Sequence, residues 1–209
     1  ANLLMQALNS ADPIAEFASE DLKKTLDLCL SCKACKSECP ANVDMTQLKS
    51  EFLYHYYSQK GVPLKTRLMR YYPLMLRLGA KFPKLTNHFT KNAWLKKQLQ
   101  VAPQRQLPAI TTRSLKNWWK QHKRVSETQT RIKTNKQVAI LCEIVTKYHE
   151  PQVGQAAIQF LEHHGYQVIP IFLLDSPCLL INQGLLKQAK QAFGQVLEQC
   201  DSLLKSGVS

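Results

Sequence analysis

No apolar run in the 209-residue chain approaches the roughly 20 residues of a membrane-spanning helix, and nothing in it reads as a secretory leader. Glycine is scarce, with seven residues, and none builds the glycine-rich turn that cradles phosphate after a strand. A nucleotide site is therefore not expected. The histidines (His55, His88, His122, His149, His163 and His164) are not spaced with carboxylates or cysteines as a metal set, so each is expected to pack or to face solvent. No Ser/His/Asp or Cys/His arrangement follows from spacing. The chain opens on Ala1 rather than Met, and the expectation is a piece of something longer.

Acidic residues are missing from the middle of the chain. Residues 1–59 carry five Lys/Arg against eight Asp/Glu, residues 60–136 nineteen against one (Glu127), and residues 137–209 four against six. Nearly all of the net charge of +13 sits in that central zone. Three regions follow: 1–59, 60–136 and 137–209. The cysteine count is odd, seven, and four of the thiols are clustered, which fits a reducing compartment better than a disulfide framework. The expected location is cytoplasmic, with the membrane periphery as an option.

What is present is the run Cys29-Leu30-Ser31-Cys32-Lys33-Ala34-Cys35-Lys36-Ser37-Glu38-Cys39-Pro40. Its C-x2-C-x2-C-x3-C-P spacing is that of bacterial 4Fe–4S ligation. Three thiolates on a tight loop can each take one iron corner of a cubane from one side, and Pro40 turns the backbone away after the fourth. Structural zinc sites usually separate two C-x2-C pairs by a longer loop, so zinc is the weaker reading. Cys29, Cys32, Cys35 and Cys39 are thus the candidate cluster and metal ligands. In two-cluster ferredoxins the fourth cysteine of such a run binds the other cluster, and Cys142, Cys178 and Cys200 supply no second run. Cys39 belongs either to this cluster or to a neighbouring one.

Around the run, Asn2 to Leu8 reads as a short helix. Ser19 caps a second, with Leu22, Leu26 and Cys29 recurring at helical spacing. Asp44 and Gln47 open a third, carrying Met45, Leu48, Phe52 and Tyr56 on one face. Helix, cysteine loop, helix is an α-helical ferredoxin-like half.

The basic zone has helical texture broken by prolines. Arg67, Arg70, Arg77, Lys81 and Lys84 fall opposite Leu68, Tyr72 and Met75, with an interruption at Pro73. Farther on, Arg113, Lys116, Lys120 and Lys123 oppose Leu115, Trp118 and Trp119. Such helices can lie on anionic membranes; the preferred reading is a solvated face whose aromatics pack on a neighbouring domain. No base-reading module accompanies the charge, so no nucleic-acid partner is expected.

The last region reads as a small βαβα unit: a strand from Gln137 to Ile144, then a helix opened by Pro151 with Val153, Ala156, Ala157, Phe160, Leu161 and His164 on one stripe and ended by Gly165. A strand from Tyr166 to Leu174 follows, then a long amphipathic helix marked by Leu186, Ala189, Phe193, Val196, Leu197, Cys200 and Leu203. The strands are expected to be parallel. The fold class is α plus α/β.

Over nearly its whole length the chain resembles the C-terminal region of FAD-linked oxidases, the D-lactate, glycolate and D-2-hydroxyglutarate dehydrogenases fused to iron–sulfur modules. The resemblance is carried by Leu26-Asp27-Leu28-Cys29 through Cys35, by Glu38-Cys39-Pro40-Ala41-Asn42-Val43-Asp44-Met45, and by Lys49-Ser50-Glu51-Phe52-Leu53. Ala1-Asn2-Leu3-Leu4 looks like the end of that family's Arg-Gly-Arg-Ala-Asn-Leu-Leu segment. Leu107-Pro108 and Ser114 to Trp119 look like its linker helix. The last region resembles the first half of a Cys-Cys-Gly (CCG) module through Val145-Thr146, Tyr148, Pro151, Val153-Gly154 and Gly184-Leu185-Leu186. The module's Gly-Cys falls on Glu143-Ile144 and its Cys-Cys-Gly on Asp175-Ser176-Pro177, with Cys142 and Cys178 each two positions off its cysteines, so this part is read as a structural or docking remnant.

The resemblance implies electron transfer: FAD in a presumed upstream domain takes two electrons from a 2-hydroxy acid, and clusters pass them singly to a quinone or an electron-carrier protein. The implied partners are an FAD-binding domain or subunit and that acceptor, with peripheral membrane contact as a further option. The fragment alone is not expected to be catalytic. The competing reading is a cluster-stapled binding module that docks on a membrane or an acidic protein surface.

Overall fold

The structure, a computed structural model, describes residues 2–98, 101–129 and 136–205, with the backbone alone over 125–129. Its helices are α1 (Asn2–Leu8), α2 (Pro13–Glu16), α3 (Glu20–Asp27), α4 (Ala34–Glu38), α5 (Met45–Lys60), α6 (Leu64–Arg70), α7 (Tyr72–Gly79), α8 (Pro83–Thr90), α9 (Ala93–Gln98) and α10 (Leu115–Gln129). Strand β1 (Gln137–Cys142) then leads through α11 (Ile144–Tyr148) and α12 (Pro151–His163) to β2 (Gln167–Phe172), α13 (Pro177–Asn182) and α14 (Leu186–Lys205). Helices dominate, and the two strands pair in parallel with Gln137 beside Gln167 and Cys142 beside Phe172. The α plus α/β class expected from the pattern is the class observed. Ala1 and residues 130–135 of the basic zone lie outside the described residues.

The chain forms two compact units. One holds the residues up to Arg70 together with Pro177–Phe193; the other holds Tyr71–Ser176 and the residues from Gly194. In the first, Leu4 and Ala7 of α1, Leu22 and Leu26 of α3, and Phe52, Leu53 and Tyr56 of α5 close one core. A second cluster there joins Leu180, Leu185, Ala189 and Ala192, with Val62 packed against it. In the second unit, Leu115, Cys142, Ile158 and Val168 form the α/β core, and Leu76, Ile110, Ile144 and Tyr148 form another.

Several boundaries differ from the pattern reading. The apolar run expected as one strand to Ile144 ends at Cys142. Ile144 and Tyr148, one helical turn apart, instead bury against Leu76 and Ile110. Helix α3 stops at Asp27 with Leu28 as its cap, so Cys29 lies in the loop and not on the helix. The buried side of α12 is Pro151, Gly154 and Ile158, while Phe160 is 63% exposed. Hydrophobic periodicity misses that side because its closest contact is made by a glycine. In α14, Ala189 and Ala192 take the buried positions, and Phe193 and Leu197 stay exposed. Pro73 sits in the first turn of α7 and divides the expected rod into α6 and α7, each with its own inward face. Thr66, Pro73 and Leu76 are buried, and Leu68 and Met75 are exposed.

Candidate metal centre

The cysteine run is strung between two helices nailed to one core. Ser19 Oγ accepts from the Leu22 amide at 3.4 Å to start α3. Asp44 Oδ1 accepts from the amides of Thr46 and Gln47 at 2.9 and 3.1 Å to start α5. From Asp27 to Met45 no side chain is buried. Between the two helices the run therefore contributes no buried side chain to the core.

Within it, Cys29 and Cys32 lie in the loop, Cys35 is on α4, and Cys39 caps the end of α4 with its amide on the Cys35 carbonyl at 3.0 Å. Lys49 Nζ donates to the Cys29 carbonyl at 2.7 Å. Ser31, Lys33 and Asn42 have φ of 55°, 62° and 52°, and among the described residues they are the non-glycine positions in the left-handed region. Each such residue costs about 1–2 kcal/mol, and strain of this kind tends to gather at functional sites. Ser31 and Lys33 bracket Cys32, so the chain turns sharply on both sides of that thiol.

The electrostatics favour thiolate at the far end of the run. Backbone N–H groups of Val43, Ala41 and Asn42 aim at Cys39 and hold its thiol below the ordinary value. Asp44 is likewise held low, first by the Gln47 amide, then by the Thr46 amide and by the charges of Lys33 and Lys36. Those two lysines also bring positive charge beside the cysteines.

In position, among the described residues no three Cys, His, Asp or Glu side chains converge as a metal-holding group. In donor chemistry the run fits an iron–sulfur cluster, with thiols only, thiolate-stabilising amides at Cys39, and no core packing that fixes the loop against closing around a cubane.

The remaining cysteines differ in kind. Cys142 is fully buried at the end of β1, where burial pushes its thiol up to about 11. Cys178 is exposed on α13 and Cys200 half-buried on α14. Past the ends of the two strands Ser176 Oγ donates to Glu143 Oε2 at 3.2 Å. The two residues are 33 apart in sequence, so local pattern does not pair them.

Trp118 and Trp119 of α10 pack against the Leu115–Cys142–Ile158–Val168 core, with Lys116 and Lys120 exposed. His122 stacks on Trp118 with ring centroids 4.4 Å apart, and its Nε2 meets Glu162 Oε2 at 2.6 Å. Trp118 and Trp119 are thus packing residues of the α/β core. No helix among the described residues is long and apolar enough to cross a membrane.

No family model matches the chain, and no solved structure does. Three curated proteins, each named D-2-hydroxyglutarate dehydrogenase, are similar to it. The protein from Pantoea ananatis is 28% identical over 173 residues, covering 76% of this chain and 16% of its own length. The Escherichia coli protein is 27% identical over 166 residues, covering 76% and 16%. The Haemophilus influenzae protein is 24% identical over 200 residues, covering 91% and 19%. The similarity therefore runs through most of this chain, and the chain spans less than a fifth of the length of these relatives.

Proposed function

We propose that this chain is the iron–sulfur electron-transfer part of a flavin-linked 2-hydroxyacid dehydrogenase, with D-2-hydroxyglutarate as the substrate of the whole protein. The observation that carries the reading is the four-thiol ferredoxin run, held between two core-anchored helices and free of buried side chains of its own. The name shared by the three relatives supports the dehydrogenase and its substrate.

Cys29, Cys32 and Cys35 hold one 4Fe–4S cluster, with Cys39 on it or on a neighbour. When bound, such a cluster takes and releases single electrons, which suits a relay between a flavin and a quinone or carrier protein. The chain's own residues set the conditions. The amides of residues 41–43 stabilise the Cys39 thiolate, Lys33 and Lys36 place positive charge that favours a more reduced centre, and the α1–α3–α5 core fixes the two ends of the loop. The partner is an FAD-binding domain or subunit. The region after Gln137, a CCG module remnant in this reading, serves as scaffold or docking surface.

Anaerobic reconstitution with iron and sulfide tests the assignment. The expected product is a brown protein with stoichiometric iron and acid-labile sulfide and a reduced-state electron paramagnetic resonance signal, all lost in Cys32→Ser. Stoichiometric zinc in protein purified anaerobically would overturn it. For the substrate, rapid mixing of the full-length parent with D-2-hydroxyglutarate should reduce flavin first and cluster second.

A further inference from the structure

We propose that the helices α7, α8 and α9 form a docking surface for an anionic lipid bilayer. This goes beyond the electron-transfer reading and does not depend on the cluster.

The inner side of the α7–α8 pair is pinned. A Cβ at Gly79 would stand 2.9 Å from Ile110 Cδ1 and 3.0 Å from Thr86 Cγ2, so the two helices meet there at close range. Thr86 Oγ1 donates to the carbonyls of Gly79 and Phe82 at 3.1 Å each. Asn87 grips Ile110 twice, Nδ2 donating to its carbonyl at 2.7 Å and Oδ1 accepting from its amide at 2.8 Å. Leu76 is buried against Ile110. These contacts settle which faces look inward.

The outer side is left apolar. Leu74, Met75 and Leu78 share one exposed face of α7, Leu85 and Phe89 are exposed on α8, and Phe82 is exposed at the N-cap of α8. Phe82 is 67% exposed, Phe89 56%, and Trp94 at the start of α9 is 67% exposed. Interspersed are Arg77, Lys81, Lys84, Lys91, Lys96 and Lys97, and no Asp or Glu occurs anywhere from residue 52 to 126.

Charge decides the occupant. Protein–protein interfaces are depleted in lysine, whereas helices lying in a bilayer interface pair Lys/Arg with exposed Trp, Phe and Leu. Cations on flexible stems reach anionic headgroups while the aromatic rings enter the acyl boundary. A lysine-rich apolar surface built from a stretch of chain that holds no Asp or Glu is complementary to an anionic headgroup layer.

The test is cosedimentation of the chain with phosphatidylglycerol-containing vesicles and with pure phosphatidylcholine vesicles. Binding is expected only to the first, weakening steeply with salt, and falling about tenfold or more in F82D/F89D. Both phenylalanines are exposed, so circular dichroism should be unchanged. As a second readout on the unmutated chain, brominated lipid should quench tryptophan emission, and W94F should lose most of that quenching. Absence of vesicle binding at low salt, binding that F82D/F89D retains, or capture of an acidic protein in place of vesicles would each overturn the proposal.

Discussion

Lys49 on α5 donates from Nζ to the backbone carbonyl of Cys29 across 2.7 Å, joining the first cysteine of the run to a helix that begins sixteen residues after it. A charge-assisted bond of this kind is worth about 1–2 kcal/mol when half-buried. It fixes the point where the chain leaves α3 and enters the loop, so it limits how far Cys29 can stray from a shared cluster.

Lys49→Met should therefore leave the helical content unchanged and speed the loss of a reconstituted cluster severalfold under mild oxidant. Decay of the visible absorbance measures this. Equal decay rates in the two proteins would show that the bond does not hold the site.

Gly154→Ala should be costly and Gly194→Ala should not. A Cβ at Gly154 would lie 2.4 Å from Leu115 Cδ2 and 2.8 Å from Thr146 Cγ2, and Leu115 is fully buried and cannot yield. Overpacking of this kind costs about 1–3 kcal/mol. Gly194, inside α14, has nothing within 4 Å of the added methyl, so alanine there should gain about 0.5–1 kcal/mol. Urea midpoints of the two variants should move in opposite directions.

These two glycines show what a linear pattern conveys and what it hides. The cysteine run, the Ser19 and Asp44 caps, the α5 core residues Phe52 and Tyr56 and the parallel strands were legible because each is a local signal: a spacing, a capping residue, a period. The inner face of α12 was not, since periodicity ranks positions by hydrophobicity and the closest helix approach there is made by Gly154. Ile144 continues the apolar run of the strand in sequence, and only its burial with Tyr148 against Leu76 and Ile110 assigns it to α11. The meeting of Glu143 with Ser176 is a product of parallel strand pairing, which no window of sequence contains. Which way Trp118 and Trp119 point does not follow from the pattern of α10, and packing against Cys142 and Ile158 decides it.

Cys39 and Cys142 should separate cleanly by reactivity. In cluster-free protein at neutral pH, iodoacetamide should modify Cys39, whose thiol the backbone amides hold low. Cys142 should stay unmodified until denaturant is added. Burial raises Cys142 from the ordinary 9.0 to about 11. In the unfolded chain the thiol then ionises first, so its contribution to stability is complete below pH 9 and is lost as pH rises toward 11. Cys142→Ala should flatten that alkaline decline relative to the parent. Peptide mass mapping and urea melts across the window check both parts.

Lys147 carries the opposite sign. It is only 6% exposed, its Nζ lies 5.0 Å from the Tyr148 ring centroid, and among the described residues no carboxylate pairs with it. Burial depresses its ammonium below 10.5, and the neighbouring charges of Lys116 and Arg77 press it further down. A depressed base leaves the unfolded chain holding its proton more tightly. The cost to the fold is complete below the depressed value and is relieved as pH rises toward 10.5. An apolar side chain of similar length removes that cost, so Lys147→Met should stabilise the protein at pH 7 by about 1 kcal/mol, the low end for replacing a buried charge. The gain should shrink at pH 10, where the parent has already shed part of the charge. Urea melts at the two pH values give the answer. A loss of stability at pH 7 would mean that Lys147 meets an anion in the native protein, and the charge would then belong to a binding site and not to the core.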